Sequence, residues 1–253
     1  MKFPVSAVVL SHNNEASIET TLQSLSWSDD ICVIDDYSTD GTLNIAAQAG
    51  VRIFQGKLQE NFAYQRNFSL QHVKNDWVLF VDADEIVSAQ LADEIRKNIT
   101  DSTCVGYSIP RTTVWRGRTL RFGEFFNFSL IRLGKRTAGK WSGKVHEQWE
   151  IKGRVGKLHA PLLHFQEGGI EKLLKKINMY SSIRADELYF QKKQVSFFTI
   201  LFLPMGKFFQ NYIVKLGILD GTAGLINAIA MSFYTFLVRA KLWLLWHETV
   251  NKP

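Results

Sequence analysis

Two aspartates separated by a single residue, Asp82 and Asp84, follow the apolar run 78–81. At the end of a strand both carboxylates can reach one hard cation, and Mg²⁺ and Mn²⁺ prefer oxygen ligands, often shared with substrate phosphates. A cation held there would neutralise a diphosphate leaving group. The pattern therefore predicts a metal site for phosphate chemistry. The plainer interpretation is a solvated acidic loop.

A second pair of carboxylates is a candidate for binding a nucleotide. Asp35 and Asp36 follow the apolar run 31–34, where one of them can cap the next helix. Ser38 or Asp40 can fill the same capping role. If Ser38 or Asp40 caps the helix, a carboxylate of this pair can accept a hydrogen bond from a nucleotide base or a ribose hydroxyl.

Three further side chains carry possible chemistry. Arg66, near the start of a predicted helix, can approach a phosphate, although a lone arginine is more often a surface or salt-bridge residue. His146 and Glu147 are neighbours flanked by aromatic residues and can supply one metal ligand and one general base. The zincin pattern is absent, because no histidine follows four residues later. His159 and His164 are interpreted as structural or interfacial.

The segments between these groups alternate between short apolar runs and amphipathic stretches. Strands are predicted at 5–10, 31–34, 51–54 and 77–81, and helices at 15–25, 43–48, 62–73 and 90–98. This alternation indicates parallel βαβ units and an α/β fold. Ligands of such sheets bind at the carboxyl ends of the strands. The polar clusters 11–14, 35–36 and 82–84 are therefore expected to converge on one site.

The rest of the chain has a different pattern. Short alternating runs between 105 and 164 predict an irregular, partly antiparallel extension. An amphipathic basic helix is predicted at 170–191, and the apolar, aromatic segment 195–203 is expected to end at Pro204. Residues 222–238 carry no charge over 17 residues. A membrane span needs about 20, so this run is marginal for one.

Charge divides the chain in two. The first 100 of the 253 residues carry 7 basic and 14 acidic side chains, a net charge of −7. The other residues carry 23 basic and 10 acidic side chains, a net charge of +13, so that the whole chain has a net charge of +6. The acidic part suits a metal, and the basic part suits a polyanion such as nucleic acid or an anionic membrane. The hydrophobic content of 46% and the five prolines exclude a disordered or collagen-like chain.

The cysteines and the N-terminal sequence indicate in which cellular compartment the protein is expected. Cys32 and Cys104 lack metal-ligand spacing, and Cys32 is expected in the core. Polar residues 11–15 follow too soon after the N-terminus for a secretory signal peptide. The catalytic part is therefore expected in the cytosol.

Taken together, the motifs resemble family 2 glycosyltransferases with the A-type nucleotide-sugar-binding fold. The matching pieces are Ser11–Glu15, Asp35–Thr42, Gln65–Asn67, Asp82–Glu85 and Val145–Glu147, in the family's order and spacing. The longer pattern, through 203–221, is similar to bacterial lipopolysaccharide-core β-glucosyltransferases. The resemblance implies an α/β mixed sheet with flanking helices, a catalytic domain at 1–165 and a basic, aromatic-rich helical appendage at 166–253.

The resemblance also implies roles for individual residues. It implies an inverting, metal-dependent transfer from a UDP-sugar with Mg²⁺ or Mn²⁺ as cofactor. The implied nucleotide-sugar contacts are Ser11, Asn13, Glu15, Asp35, Asp36, Arg66, Asp82 and Ala83. The implied metal contacts are Asp82, Asp84 and His146, with Asp84 the stronger candidate. Glu147 is the candidate base and Glu85 its competitor.

The basic, aromatic rear half is expected to touch a membrane rather than span it. The expected acceptor is a glycolipid or oligosaccharide, lipopolysaccharide core first, at the cytoplasmic face of the inner membrane. A nucleic-acid partner is not expected, because the basic residues form no recognisable module. The competing hypotheses are a nucleotidylyltransferase, which usually has a Gly-rich loop after its first strand, and a basic nucleic-acid- or membrane-binding protein.

Overall fold

The computed structural model describes residues 2–56, 62–100, 103–143, 147–166 and 168–250. The strands are β1 (Phe3–Ser11), β2 (Ser28–Asp35), β3 (Arg52–Gln55), β4 (Trp77–Asp82), β5 (Glu85–Val87), β6 (Gly106–Trp115), β7 (Arg118–Leu120), β8 (Ser129–Lys135), β9 (Gly139–Ser142), β10 (Gln148–Ile151), β11 (Val155–Lys157) and β12 (Leu162–Gln166). The α-helices are α1 (Ile18–Ser24), α2 (Thr42–Gln48), α3 (Phe62–Leu70), α4 (Ala89–Thr100), α5 (Ile170–Phe190), α6 (Phe197–Phe209) and α7 (Gly221–Val250). Short helical turns lie at Gly123–Phe125, Gln210–Val214 and Gly217–Asp220.

The main sheet confirms that the first four predicted strands are parallel. Its strands run β3-β2-β1-β4-β8-β6-β12-β5, with β3, β2, β1 and β4 parallel and β8 antiparallel to β4. Ser11 stands opposite Asp35, and Leu10 stands opposite Asp82. The carboxyl ends of β1, β2 and β4 are therefore level at one edge. The three predicted polar clusters meet there.

Both faces of the parallel strands are covered, which explains their continuous apolar runs. Val9 and Leu79 point to a core that contains residues of α1, α2 and α4. Val8 and Phe80 point to the opposite core, with α3 and two tryptophans. Alternate residues of one strand thus serve different cores.

The two tryptophans belong to a separate two-stranded sheet. Trp141 of β9 pairs with Trp149 of β10, and their rings lie 5.3 Å apart. Each of these rings is T-shaped to the Phe80 ring, with centroid distances of 5.0 and 5.1 Å. This antiparallel pair therefore brings residue 147, immediately before β10, to the face of the sheet that carries Phe80.

A buried carboxylate ties β2 to its surroundings. Asp30 accepts from the Ser6 hydroxyl on β1, from the Arg52 guanidinium on β3 at 2.7–2.9 Å and from the Lys74 N–H. Burial raises the pKa of Asp30, but these hydrogen bonds and the charge of Arg52 lower it further, so that it lies below its ordinary value. Cys32 is buried beside this group, with its Sγ 2.8 Å from Arg52 Nη2.

The chain forms two compact units. The first contains residues 1–114 and 128–166, and the second contains residues 115–127 and 167–253. In the second unit, Trp115 and Leu120 pack with Ala223 of α7. The carboxylate of Asp220 accepts from the N–H groups of Arg121 and Phe122 at 3.1 and 2.9 Å. Residues 115–127 are thus held by the C-terminal helices.

Helices α5 and α7 share the other core of the second unit. Ala185 and Leu188 of α5 pack with Val238 and Leu242 of α7. The Lys241 ammonium donates to the Asn178 carbonyl and to two serine hydroxyls of α5, at 2.7–2.8 Å. This confirms a C-terminal helical appendage.

The expectation that the aromatic segment ends at Pro204 is wrong. Helix α6 starts in a capping box formed by Ser196 and Thr199 and continues through Pro204 to Phe209. Pro204 is buried, and its carbonyl accepts from the Ser232 hydroxyl of α7 at 2.8 Å. Packing against α7 therefore outweighs the backbone hydrogen bond that proline cannot donate.

Two helical stretches of the second unit are long and apolar enough to cross a membrane, judged by length and composition alone. They are Phe197–Val214 and Gly217–His247, of which 11% and 28% are buried. The outer face of the first carries large exposed side chains at helical spacing: Phe197, Phe198, Leu201, Phe202, Met205 and Phe209. We call these six residues the α6 apolar stripe.

Candidate active site

A fully buried arginine lies at the centre of the carboxyl edge. Arg66 of α3 is 1% exposed, and its guanidinium carbon lies 4.7 Å from the Trp141 ring and 5.4 Å from the Phe80 ring. Its Nη2 donates to Asp82 Oδ1 at 2.8 Å and lies 3.0 Å from Glu147 Oε1. Aromatic faces and two carboxylates together compensate for the lost hydration of this charge.

One nitrogen of this arginine remains unused. Arg66 Nη1 is buried and has no hydrogen-bond partner in the described part of the chain. A buried, unpaired N–H of a charged group is costly, so it marks a position where an acceptor from a ligand would be favoured. Phosphate oxygens are acceptors that guanidinium groups bind strongly.

A second arginine shares Asp82. Arg132 of β8 donates from Nη2 to Asp82 Oδ2 at 3.1 Å and from Nη1 to Oδ1 at 3.3 Å. Burial raises the pKa of Asp82, but Arg132 and Arg66 lower it more, and the net shift is strongly downward. Burial and Arg132 hold the pKa of Arg66 below its ordinary value. Burial also opposes the charge of Arg132, but Asp82, Glu85 and Glu147 raise its pKa overall.

Glu85, the second candidate for the catalytic base, holds the turn after β4. Glu85 is fully buried and accepts from Arg111 Nε at 2.6 Å and, through its other oxygen, from the Asp82 N–H at 2.9 Å. Both of its oxygens therefore fix the 82–85 turn. Glu147 is 15% exposed and accepts from Arg66 through Oε1.

Asp84 lies next to a histidine from another strand. Antiparallel pairing of β12 with β5 brings His164 opposite Glu85, and the Phe165 N–H donates to the Asp84 carbonyl at 2.9 Å. His164 Nε2 is 3.3 Å from Asp84 Oδ2, and its Nδ1 is 3.4 Å from the Thr113 hydroxyl. The His164 side chain is only 8% exposed, whereas that of Asp84 is 27% exposed.

The predicted nucleotide-binding residues form a connected loop at the same edge. Asp35 is buried and accepts from the Ser38 N–H and hydroxyl. Asn13 has a φ of 53° and accepts from the Thr39 N–H at 2.8 Å. The Ser11 hydroxyl is buried without a hydrogen-bond partner among the described residues. It is a second polar group at this edge that a ligand would satisfy.

Three other predicted contacts have structural partners. Glu15 accepts from the Gly41 N–H at 3.0 Å, and a Cβ on Gly41 would stand 2.6 Å from its Oε1. The backbone of Asp36 donates to the Ser11 carbonyl, and that of Ala83 donates to the Leu10 carbonyl. These residues hold the loops that follow the strands.

The structure thus brings Arg66, Asp82 and Glu147 into direct contact, with Glu85 and Asp84 in the adjoining turn. His146 lies outside the described residues. Sequence reasoning missed Arg132, Arg111 and the contact of His164 with Asp84. A signal was present for His164, because it shares the buried face of β12 with Leu162 at a spacing of two.

The side chains around the 82–85 turn can supply some, but not all, of the ligands of one divalent cation. In the described residues, no three His, Cys, Asp or Glu side chains lie close enough together to hold a metal unaided. Both oxygens of Asp82 accept from arginines, which leaves Asp84 as the carboxylate that fits. Mg²⁺ and Mn²⁺ are commonly bound by one or two carboxylates plus substrate phosphates.

Comparison with known proteins identifies the family of the chain. Residues 6–149 match the protein-family model described as "Glycosyl transferase family 2". The chain is 30% identical to the lipopolysaccharide core biosynthesis glycosyltransferase LpsC of Rhizobium meliloti, over 96% of this chain and 93% of that protein. It is 27% identical to an uncharacterised glycosyltransferase of Rickettsia typhi, over 94% and 86%.

Among solved structures, the chain is similar to glucosyl-3-phosphoglycerate synthase from Mycobacterium tuberculosis. In its complex with Mn²⁺, UDP and phosphoglyceric acid, the identity is 16%, the match covers 73% of this chain and 77% of that one, and the TM-score is 0.48. The family match and the mixed sheet confirm the predicted A-type fold class. They confirm the glycosyltransferase prediction over the nucleotidylyltransferase hypothesis. The chain belongs to glycosyl transferase family 2 and is a glycosyltransferase related to lipopolysaccharide-core enzymes.

Proposed function

We propose that this enzyme transfers a sugar, with inversion, from a UDP-sugar to a membrane-held glycan, of which lipopolysaccharide core is the first candidate. The observation that carries the proposal is the buried Arg66, which contacts Asp82 and Glu147 and whose Nη1 has no hydrogen-bond partner among the described residues. A donor diphosphate would accept from that N–H while both ion pairs remain. The acceptor class is supported by the similarity to LpsC.

The nucleoside would lie over the loops after β1 and β2. Ser11, Asn13, Glu15, Asp35, Asp36 and Ala83 are proposed to form or support this pocket. Support comes from the level ends of the two strands and from the unsatisfied Ser11 hydroxyl. Because Asp35 already accepts from Ser38, ribose binding would add to that bond or replace it.

At the end of the site around Arg66 and Glu147, sugar transfer needs a base and a stabilised leaving group. Glu147 is proposed to take the proton of the acceptor hydroxyl as its oxygen forms a bond to the anomeric carbon. The bond from that carbon to the β-phosphate oxygen breaks on the opposite face, and its electron pair leaves with UDP. Arg66 stabilises the departing charge. Mg²⁺ or Mn²⁺ bound at Asp84 would neutralise the diphosphate as a Lewis acid.

Nucleotide binding tests the proposal directly. Calorimetric titration with UDP, GDP and CMP, each with Mn²⁺, should show binding to UDP, and Arg66→Lys should weaken it at least about tenfold because lysine cannot reproduce the fork of donors. Arg96→Lys, at a more exposed arginine paired with Asp93, is the matched control. Absence of UDP binding by the unchanged enzyme contradicts the proposal. With a UDP-sugar and a lipopolysaccharide-core acceptor, the anomeric configuration of the product tests inversion.

We also propose a division of labour, with catalysis in the first unit and membrane contact in the second. The second unit carries 14 Lys and Arg against 7 Asp and Glu, a balance of +7. Lys192 and Lys193 precede the α6 apolar stripe, whose first two rings are 71% and 68% exposed. An apolar stripe beside basic residues is typical of helices that lie in an anionic membrane interface. The proposed location is the cytoplasmic face of the inner membrane.

Vesicle binding tests this contact. The enzyme should co-sediment with phosphatidylglycerol-containing vesicles and much less with phosphatidylcholine alone. Phe198→Ser with Phe202→Ser should weaken binding at least about tenfold, because each buried ring contributes about 1.5–3 kcal/mol. Phe128→Ser, at an exposed phenylalanine of the first unit, is the control. A lipid-independent dimer that the double variant abolishes would instead make the stripe a contact between copies.

A further inference from the structure

Two buried polar atoms of helix α7 lie without partners where this helix packs on α5. They are the Nε of Arg239 and the hydroxyl oxygen of Tyr234, and neither has a hydrogen-bond partner among the residues that the structure describes. Tyr234 packs against the core that α7 shares with α5. Because a buried donor without an acceptor is costly, both atoms mark positions where an acceptor from a ligand would be favoured.

The charge around these two atoms is positive. Arg184 of α5 donates from Nη1 to Glu187 Oε2 at 2.7 Å, so this carboxylate is already used by one arginine. Burial and the charge of Arg184 lower the pKa of Arg239, whereas Tyr234 raises it. Two arginines and one glutamate leave a net charge of +1, which one monovalent anion would balance.

Tyr234 belongs to the same group of side chains. Burial raises the pKa of its hydroxyl, Arg184 and Arg239 lower it, Glu187 raises it, and the net shift is upward. All three charged side chains therefore lie near this hydroxyl. Since its pKa is above the ordinary value, the hydroxyl keeps its proton at neutral pH and can donate to an anion.

Exposed aromatic rings flank Arg239 on the same face of α7. Phe236 precedes it by three residues and Trp243 follows it by four, and residues at these spacings are neighbours on a helix surface. Both rings are 40% exposed. Guanidinium groups bind phosphate oxygens strongly, and apolar rings beside such a charge suit acyl chains. The combination fits an anion carried on an apolar chain better than a free anion.

We propose that Arg239, Tyr234 and Arg184 form a binding site for the headgroup phosphate of an anionic phospholipid. A phosphodiester carries a single negative charge, and its free oxygens can accept from the Arg239 Nε–H and from the Tyr234 hydroxyl. Phe236 and Trp243 would contact the acyl chains. None of these residues belongs to the α6 apolar stripe. This inference rests on the proposed membrane contact of the second unit.

Calorimetric titration of the full chain with dihexanoyl phosphatidylglycerol, below its micelle concentration, tests the site without a membrane. Saturable binding at one site is expected, and dihexanoyl phosphatidylcholine should bind much more weakly, because its choline adds a positive charge beside two arginines. Arg239→Lys should weaken binding of the phosphatidylglycerol at least about tenfold, because lysine lacks the fork of donors. Tyr234→Phe should weaken it about tenfold, because it removes a hydrogen bond to a charged group.

Tyr234→Phe also separates a ligand-binding role from a structural one. The hydroxyl has no partner among the described residues, so its loss should leave the melting temperature of the lipid-free enzyme unchanged. A lower melting temperature with an unchanged lipid affinity would overturn the role of Tyr234. Arg118→Lys, at an exposed arginine of the same unit, is the matched control and should leave the affinity unchanged.

The outcomes separate this inference from the proposed membrane contact. If the soluble phosphatidylglycerol does not bind, or binds equally well to Arg239→Lys, the site is overturned even when the enzyme co-sediments with vesicles. Binding of sn-glycerol 3-phosphate as tight as that of the lipid would overturn the lipid assignment in favour of a free phosphate ester. If the soluble lipid binds through Arg239 but vesicles do not, the membrane contact is wrong and the site stands.

Discussion

Arg66 combines two properties that rarely occur together: it is completely buried, and within the part of the chain that the structure describes one of its nitrogens has no hydrogen-bond partner. Its contacts with Asp82 and Glu147 fix the guanidinium in place before any ligand arrives. Preorganised donors of this kind lower the cost of stabilising charge that develops in a transition state. The same ion pair ties the candidate base to the leaving-group end of the site, which makes Glu147 the residue whose replacement is most informative.

Glu147→Gln should lower kcat about 10²–10⁴-fold, because the amide cannot take up the proton of the hydroxyl group that attacks the sugar. The affinity for UDP should change by a few-fold at most, since the amide oxygen can still accept from Arg66. Steady-state kinetics and calorimetry on the same preparation measure the two effects. Glu150→Gln, at an exposed glutamate of β10, should leave both unchanged. Turnover close to that of the unchanged enzyme would rule out Glu147 as the base.

At the residue level, the sequence identified the acidic turn, Arg66 and Glu147, but not Arg132 or the contact of His164 with Asp84. Arg132 and His164 reach the turn from β8 and β12, strands about 50 and 80 residues further along the chain. Their placement depends on antiparallel pairing across the sheet, and neither loop length nor apolar period reveals such a register. Glu85 was the competing candidate base, and in the structure its two oxygens accept from Arg111 and from the Asp82 N–H.

Among the elements, β2 depends most on a buried polar group. Asp30 joins β2 to β1 through Ser6 and to β3 through Arg52, and it also accepts from the Lys74 N–H. Removing one partner of a buried pair leaves the other charge without compensation, which costs about 3–5 kcal/mol. The order of the parallel strands therefore depends on this carboxylate as well as on apolar packing.

Asp30→Asn should lower the opening free energy of β1 and β2 by about 3 kcal/mol at pH 7. The pKa of Asp30 is lowered in the fold, so its stabilisation is complete above the unfolded value of about 3.9 and is lost as the pH falls through the folded value. The difference between variant and unchanged enzyme should therefore shrink below about pH 4. Hydrogen exchange of the strand amides measures it. Asp29→Asn, at the exposed neighbour, should have little effect.

The elements themselves were largely legible in the sequence. Apolar runs predicted β1, β2 and β4, because parallel strands that are buried on both faces are mostly apolar, and a shorter run predicted the partly buried β3. Pro204 misled the prediction of α6, since the burial of that proline against α7 is a tertiary effect. The three-residue strand β5 was missed because it has no period of its own and exists through pairing with β12.

For the whole molecule, the division into units does not follow the order of the chain. Residues 115–127 leave the first unit and pack with the helices that begin after residue 166. Trp115 and Leu120 anchor this segment, and Glu124 pairs with Lys207 at 2.8 Å. The chain therefore passes between the two units three times.

A protease site inserted between Gly168 and Gly169 should cut the chain without separating it. The two fragments should elute together in size-exclusion chromatography, because residues 115–127 keep the N-terminal fragment attached to the helices. Trp115→Ala combined with Asp220→Ala should let the cut fragments separate at low concentration, since it removes a buried ring and the acceptor of two backbone N–H groups. Separation of the unsubstituted fragments would contradict the prediction.

The reactivity of the Cys32 thiol can report how often the first unit opens locally around β2. Burial, reinforced by the charge of Asp30, raises the pKa of Cys32 to about 12, so almost no reactive thiolate exists at neutral pH. Alkylation must then wait for β2 to open. With Cys104→Ser leaving a single thiol, the labelling rate in dilute iodoacetamide would count opening events in the intact enzyme. Added UDP and Mn²⁺ should slow that rate if the donor closes the same sheet edge, which links occupancy of the site to a signal independent of sugar transfer.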